Sequence, residues 1–327
     1  MPLTKYAKGI AKKRKGTNGI IQIMNQYDTE EKCEEVFFKN KFPDGFICPV
    51  CKCKEYYPIK RHIKSKNGEE KAARTRYQCK NCKHQTSVTE GTIMDRSHLS
   101  LKIWLWAIYL VTMDKRGCSA SMLSQFLCLP YKTSWHLLQR IRKAMQVRNE
   151  LYQLAERIEF DHAFLGAPGG KRGAGTSKAK IAVAVSKQLN GHPLFLRMNV
   201  VKDLKADTVE KYAEQYFVEN STIYTDSARA YLSVLPSKYK LKAENFGAKS
   251  KSSKHLFWIH VLISNMKSFI LGTYHGIKGD YLQLYLDEFS YRFNRRFSHC
   301  NIFERLIVAV CNCPTVRADK LCNSVTD

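Results

Sequence analysis

No stretch of this chain is apolar for long enough to cross a bilayer. The longest, Ile103 to Met113, stops at eleven residues between Lys102 and Asp114, where a span needs about 20. Acidic residues are also scarce, 29 against 54 lysines and arginines, for a formal charge of +25. A surplus of that size speaks to partners rather than to fold. Nucleic acid comes first, because each phosphate neutralised releases counterions. An anionic membrane surface is the rival, but the basic residues run the length of the chain instead of gathering on one amphipathic helix. The chain has no internal repeat, and no apolar segment of the secretory kind follows its basic beginning. Nor do its twelve cysteines form a disulfide framework: four fall in two C-x-x-C pairs and eight are scattered, the pattern of a reducing compartment with one metal site. The expected setting is cytoplasmic.

What is present divides the chain. Residues 1–45 are a basic arm, with six Lys or Arg in the first twenty and no acid, followed by a helix over 21–42 that carries Phe37, Phe38 and Phe42. Residues 46–90 hold the cysteine pairs, and 91–150 are rich in Trp, Leu and Ile at helical spacing. From 155 to 300 the texture changes. Ile158 to Phe164, Ala179 to Ser186 and Leu194 to Val201 read as three successive strands, 206–219 as a helix and 221–226 as a fourth strand. A basic region over 227–256 and helices over 256–271 and 280–296 follow. Residues 301–327 read as a tail, loosely ordered after Pro314. Strands followed by helices indicate a mixed α/β sheet with flanking helices.

Cys48 and Cys51, then Cys79 and Cys82 after a gap of 27 residues, are two tight turns that each aim two thiolates at one point. Four thiolates satisfy tetrahedral Zn²⁺ with no open position, which makes the site structural. Four unrelated free cysteines are the alternative. Cys53 reads as a bystander. Lys52, Lys54, Lys60, Arg61, Lys80 and Lys83 surround the pairs, as in nucleic-acid-binding ribbons, although a protein-docking platform would look the same.

Ser119 to Leu127, the turn at Leu129-Pro130, and Tyr131 to Met145 resemble a helix-turn-helix whose second helix exposes Lys132, Thr133, His136, Arg140 and Lys143. A plain helical hairpin fits the same pattern. Trp104, Trp106 and Tyr109 read as core.

In Ile158-Glu159-Phe160-Asp161, alternation puts Glu159 and Asp161 on one face. Asp226 ends a second strand, T-I-Y-T-D. Two carboxylates on adjacent strands can bridge divalent ions for phosphoryl transfer, and two surface aspartates are the competing reading. On the helix after them, His260, Ser264 and Lys267 share one face. His260 can ligate metal or orient water, and Lys267 can hold a phosphate.

Together these pieces resemble the zinc-ribbon insertion-sequence transposases with an RNase H-like, DDE-type domain, over roughly residues 30–300. The matching stretches are Ile158 to Asp161 with the basic, glycine-rich Gly169 to Gly173; Tyr224-Thr225-Asp226 with Tyr231; and Lys267, Gly272 to His275, Tyr285 to Phe289 and Arg292 to Arg296. The resemblance implies a retroviral-integrase-like mixed sheet behind a small zinc ribbon and a helix-turn-helix-like segment. It implies cleavage and joining of DNA at inverted-repeat ends, with Asp161, Asp226 and His260 holding Mg²⁺ or Mn²⁺ and Lys267 contacting DNA. The implied partners are double-stranded terminal repeats, target DNA and a second copy of the chain or more. Counting back seven from Lys267 reaches His260, where the family most often has Glu, so the site is a D-D-H-K variant. A histidine there is a softer ligand and shifts preference toward Mn²⁺. His162 stands where relatives often carry an acid. Glu288 and Glu159 are rival carboxylates; Glu288 reads as buried and paired with an arginine of its own helix. The alternative function is a catalytically inactive, zinc-ribbon DNA-binding regulator.

Overall fold

Thr29 divides the first helical region in two. In the computed structural model, which describes residues 19–60, 62–64, 70–72, 74–166, 178–226, 228–244, 256–297, 302–317 and 321, helix α1 (Ile20–Gln26) ends before α2 (Glu30–Lys41) begins. The Thr29 hydroxyl accepts the Lys32 N–H at 3.3 Å, and Glu30 and Glu31 sit in the first turn, where the helix dipole favours them. Several stretches read from the sequence lie outside the described residues: the basic arm through residue 18, Arg61, the glycine-rich Gly169 to Gly175 with Lys171 and Arg172, and Lys249, Lys251 and Lys254.

The cysteine region is a small antiparallel unit. Strands β1 (Tyr56–Ile59), β4 (Arg76–Cys79) and β5 (Gln85–Thr86) form one sheet, and β2 (His62–Lys64) pairs with β3 (Glu70–Ala72). An aromatic cluster docks it on α2: Phe38 lies 4.8 Å from Tyr77, and Phe46 lies 4.7 Å from Tyr56. Helices α3 (Leu101–Met113), α4 (Ala120–Leu127) and α5 (Tyr131–Asn149) complete the first core, with Trp104 and Tyr109 buried inside it as expected and Trp106 only partly buried against it. Glu30 of α2 caps α3, accepting the backbone N–H groups of Leu101 and Lys102.

The second half is a five-stranded sheet in the order β10-β9-β6-β7-β8. Strands β6 (Arg157–Leu165), β7 (Ala179–Lys187) and β8 (Pro193–Val201) are an antiparallel meander. Strands β9 (Thr222–Asp226) and β10 (Lys240–Glu244) run parallel to β6 on its other side. Three antiparallel strands with two more parallel to the first is the RNase H-like arrangement. Alternation sorts the two faces. Ile158 and Phe160 face α6 (Ala206–Tyr216) and α7 (Arg229–Val234), while Ala163, Ile181, Val183 and Val185 face α8 (Phe257–Tyr274) and α9 (Leu282–Asn294). Phe160, stacked 5.3 Å from Tyr212, contributes about 1.5–3 kcal/mol by its burial.

The structure corrects the sequence reading of the second half in two places. The basic region after Asp226 contains α7 and the fifth strand; K-L-K-A-E alternates correctly, but its lysines mask Leu241 and Ala243. Residues 302–312 are not tail. They form α10 (Ile302–Asn312), whose Phe303, Leu306, Ile307 and Val310 enter the first core. Beyond it, Pro314 bridges to Thr92, and the Thr315 hydroxyl donates to the Thr92 carbonyl.

Candidate active site and zinc site

The four paired cysteines converge. Their sulfur atoms all lie within 4.8 Å of one another, with Cys48 Sγ 3.5 Å from Cys82 Sγ and Cys51 Sγ 3.4 Å from Cys79 Sγ. Zinc–thiolate bonds of about 2.3 Å give a tetrahedral edge of roughly 3.8 Å, so the donor set fits the ion. The two turns are near copies. The N–H of Lys52 donates to the Cys48 carbonyl and that of Lys83 to the Cys79 carbonyl, and both lysines take positive φ, +61° and +60°. The backbone N–H of Cys53 pulls the Cys51 thiol down to about 6, while burial pushes its neighbour Cys79 up to about 12. Cys53 stays outside the cluster.

Asp161 lies in the middle of β6 and Asp226 at the end of β9. Strands β6 and β9 pair in parallel with Glu159 opposite Tyr224, and two further residues bring each strand to its aspartate. Both aspartates lie on the α8 side of the sheet. The Asp161 side chain is 13% exposed, and its Oδ1 accepts the His162 N–H at 2.7 Å. Burial pushes the Asp161 carboxyl above its ordinary range, against the pull of the His162 N–H and imidazole; Asp226 pushes it up as well, and His260 pulls it down. Asp161 therefore feels both other members of the expected triad. Among the described residues, however, only the cysteines form a group of three or more ligand atoms within 4.8 Å of one another. His260 is exposed and Lys267 half-buried, seven residues apart on α8. His162 stands between Asp161 and Tyr231, its Nδ1 3.4 Å from Asp161 Oδ1 and 3.0 Å from the buried Tyr231 hydroxyl. Sequence reasoning noted His162 and Tyr231 but not this contact between them.

The rival carboxylates are engaged elsewhere. Glu159, 1% exposed, accepts the Ile259 N–H and meets Lys187. Glu288 pairs with Arg292 of its own helix, as expected, and also with Arg142 of α5 at 2.7 Å, a partner 146 residues away that no local pattern could indicate. Arg292 continues to the carbonyls of Asp114 and Val111, so this buried cluster joins the two halves of the molecule. The rest of the Arg292 to Arg296 stretch is scaffold. Asn294 bonds both the N–H and the carbonyl of Leu196, and Gln283 bonds the N–H of Val200 and the carbonyl of Met198. Together they satisfy the open edge of β8, which would otherwise be a template for pairing.

Helix α5 is less exposed than expected on the side that carries Lys132, Thr133, His136, Arg140 and Lys143. Ten of its nineteen residues are buried, Arg140 is half-buried on the carbonyls of Ile93 and Asp95, and Lys143 donates to Gln146. Only its first turn, Tyr131 and Lys132, is fully exposed; Thr133 and His136 are half-buried.

Comparison with known proteins adds independent matches. Residues 153–294 match the ISXO2-like transposase domain, and residues 28–85 match the transposase zinc-ribbon domain. The chain is 22% identical over 219 residues, 62% of its own length and 69% of the relative's, to an uncharacterized protein in transposable element ISH50 of Halobacterium salinarum. Among solved structures, the Mos1 strand transfer complex aligns at 12% identity over 64% of this chain and 77% of that one, with a TM-score of 0.27. A pre-cleavage Mos1 transpososome aligns at 10% identity over 63% and 78%, with a TM-score of 0.20. At those scores the fold rests on strand order and register, not on superposition.

Proposed function

The chain belongs to the zinc-ribbon insertion-sequence transposases, and from that premise we propose that it cleaves and joins DNA at the inverted-repeat ends of its element, with Asp161, Asp226 and His260 as the divalent-metal ligands and Lys267 as a contact to the scissile strand. The observation that supports this reading is the parallel register of β6 and β9, in which Glu159 lies opposite Tyr224, two residues before each aspartate. The donor set of two carboxylates and one imidazole suits Mn²⁺ at least as well as Mg²⁺. When bound, such ions neutralise charge at the phosphate and lower the pKa of an attacking water. The protein's own part is positional. Asp161 is held by the His162 N–H, and Asp226 by the N–H of Ala228 at 3.2 Å. Lys267, seven residues beyond His260 on α8, supplies a cation to a DNA phosphate. The zinc ribbon, the first turn of α5 and the basic stretch with Arg229, Lys238, Lys240 and Lys242 hold the terminal repeats. Pairing two ends calls for a dimer or a larger assembly on DNA.

Cleavage of a labelled duplex carrying the element's ends, with Mg²⁺ or Mn²⁺, tests the proposal. Asp161→Asn and Asp226→Asn should each lower the rate by roughly a thousandfold, since several kcal/mol of charge stabilisation go with the metal, and should leave duplex binding intact. Tight duplex binding with no cleavage by the native chain under either metal would instead identify a regulator that has kept only the DNA-binding surfaces.

A further inference from the structure

One strand step beneath the aspartate pair lies a second layer of side chains. Two residues before Asp161 is Glu159, two residues before Asp226 is Tyr224, and these two are partners in the β6–β9 register. All four point to the α8 side, with the layers about 7 Å apart. Glu159 Oε2 accepts the backbone N–H of Ile259 at 2.9 Å, and Oε1 meets Lys187 Nζ at 2.9 Å. Lys187 Nζ also sits 4.4 Å from the centre of the Tyr224 ring. The layer therefore ties β6, β7 and β9 to the first turn of α8.

That turn needs an outside acceptor. The residue before α8 is Leu256, which has no side-chain oxygen, so no side chain of the helix's own N-cap satisfies its first N–H groups. A carboxylate delivered from the sheet does so, and it interacts favourably with the helix dipole. A carboxylate only 1% exposed is costly unless both oxygens are engaged, and here both are. Its hydrogen-bond donor, Ile259, is the residue directly before His260.

We propose that Glu159 is a positioning residue that anchors the first turn of α8 so that His260 stands over Asp161 and Asp226. The inference rests on the metal-site reading above, and it assigns to this buried acid the job of fixing the third ligand rather than binding the ion. Partners that orient metal ligands are worth roughly 10–100-fold in metal affinity, and that range sets the expected effect.

The test is Mn²⁺ titration of the full-length, zinc-loaded protein, with free Mn²⁺ followed by its electron paramagnetic resonance signal. Glu159→Gln keeps an acceptor for the Ile259 N–H and should bind Mn²⁺ within about threefold of the native chain. Glu159→Leu combined with Lys187→Met removes the acceptor without leaving a buried lysine unpaired. It should bind at least roughly tenfold more weakly, with faster hydrogen exchange at the amides of Ile259 and His260. Native affinity in that double variant refutes the proposal. If the double variant does not fold, Glu159→Asp, one methylene too short to reach Ile259, carries the same expectation, and native affinity there refutes it equally. Asp161→Asn and Asp226→Asn are the reference. Loss of Mn²⁺ binding in both, with native affinity in the Glu159 variants, sinks the positioning role alone. Unchanged binding in both aspartate variants sinks the metal-site reading itself.

Discussion

Replacing Glu288 by Gln separates scaffold from catalysis at the rival carboxylate. Glu288 is 1% exposed and accepts from Arg142 Nε at 2.7 Å, Arg292 Nε at 3.0 Å and Nη2 at 2.8 Å, and the Tyr274 hydroxyl at 3.3 Å. Arg142 is itself 2% exposed and lies 4.0 Å from the centre of the Tyr285 ring. The amide preserves shape but removes the charge, leaving two arginines without their counter-ion. Breaking a buried pair in this way costs about 3–5 kcal/mol, or roughly 6–20 °C of melting temperature at about 2–4 °C per kcal/mol. Because Arg292 also holds the carbonyls of Val111 and Asp114, both halves of the molecule should loosen in one transition. Burial raises the Glu288 carboxyl, but Arg142 and Arg292 more than reverse this and hold it below the ordinary carboxylate range. Its folded pKa is therefore the lower one, so its stabilisation is complete above the unfolded value and is lost as pH falls through the folded value. The native chain should lose this contribution in acid, and the Gln variant should lack it at every pH. Calorimetry and Mn²⁺ titration of the folded variant are the assays. A melting temperature within about 2 °C of the native chain's at pH 7, equivalent to about 1 kcal/mol or less, or a selective loss of Mn²⁺ binding, would overturn the scaffold assignment.

Three further outcomes are expected. Cys79→Ser should abolish stoichiometric zinc and unfold residues 46–90, whereas Cys53→Ser should bind one zinc like the native chain, as read by metal analysis and circular dichroism. Burial raises the Asp287 carboxyl to about 6. The folded state thus binds the extra proton, and stability falls as pH rises from the unfolded value near 4 to about 6. Asp287→Asn, whose amide oxygen can still accept from Gln283, should remove that slope and be stabilising above pH 6 by up to about 3 kcal/mol, and an unchanged pH–stability curve would refute it. Asn294→Leu strips both partners from the Leu196 backbone and should cost about 1–3 kcal/mol with a rise in self-association, measured by denaturant titration and light scattering.

Patterns with short periods were legible without coordinates. The doubled C-x-x-C turns pointed to a metal because only spacing and ligand chemistry were needed, and the cluster of Cys48, Cys51, Cys79 and Cys82 formed as expected. The three long strands appeared within a residue or two of their ends because Val, Ile and Phe alternate there with nothing to obscure them. Asp226 stood out as an acid that ends a strand, and Asp161 as an acid inside one. By contrast, β10 was missed because charged residues outnumber the apolar ones on a strand at the sheet edge. Helix α10 was missed because its apolar face is completed by α2, α3 and α5, which lie far away along the chain. The exposed side expected for α5 was misjudged for the same reason: Arg140 is taken up by the carbonyls of Ile93 and Asp95, far back along the chain.

Composition and local period alone determined the strong positive charge, the zinc ribbon and the α/β character of the second half, since charge, ligand spacing and strand alternation are properties of neighbouring residues. Tertiary structure decided which carboxylates are tied to distant partners. Glu159 and Glu288 look no different from Asp161 in the sequence, and their partners, the Ile259 N–H and Arg142, arrive from about a hundred or more residues away. Whether a buried acid is a ligand or a strut depends on which donors the fold brings to its oxygens, and that is a long-range fact.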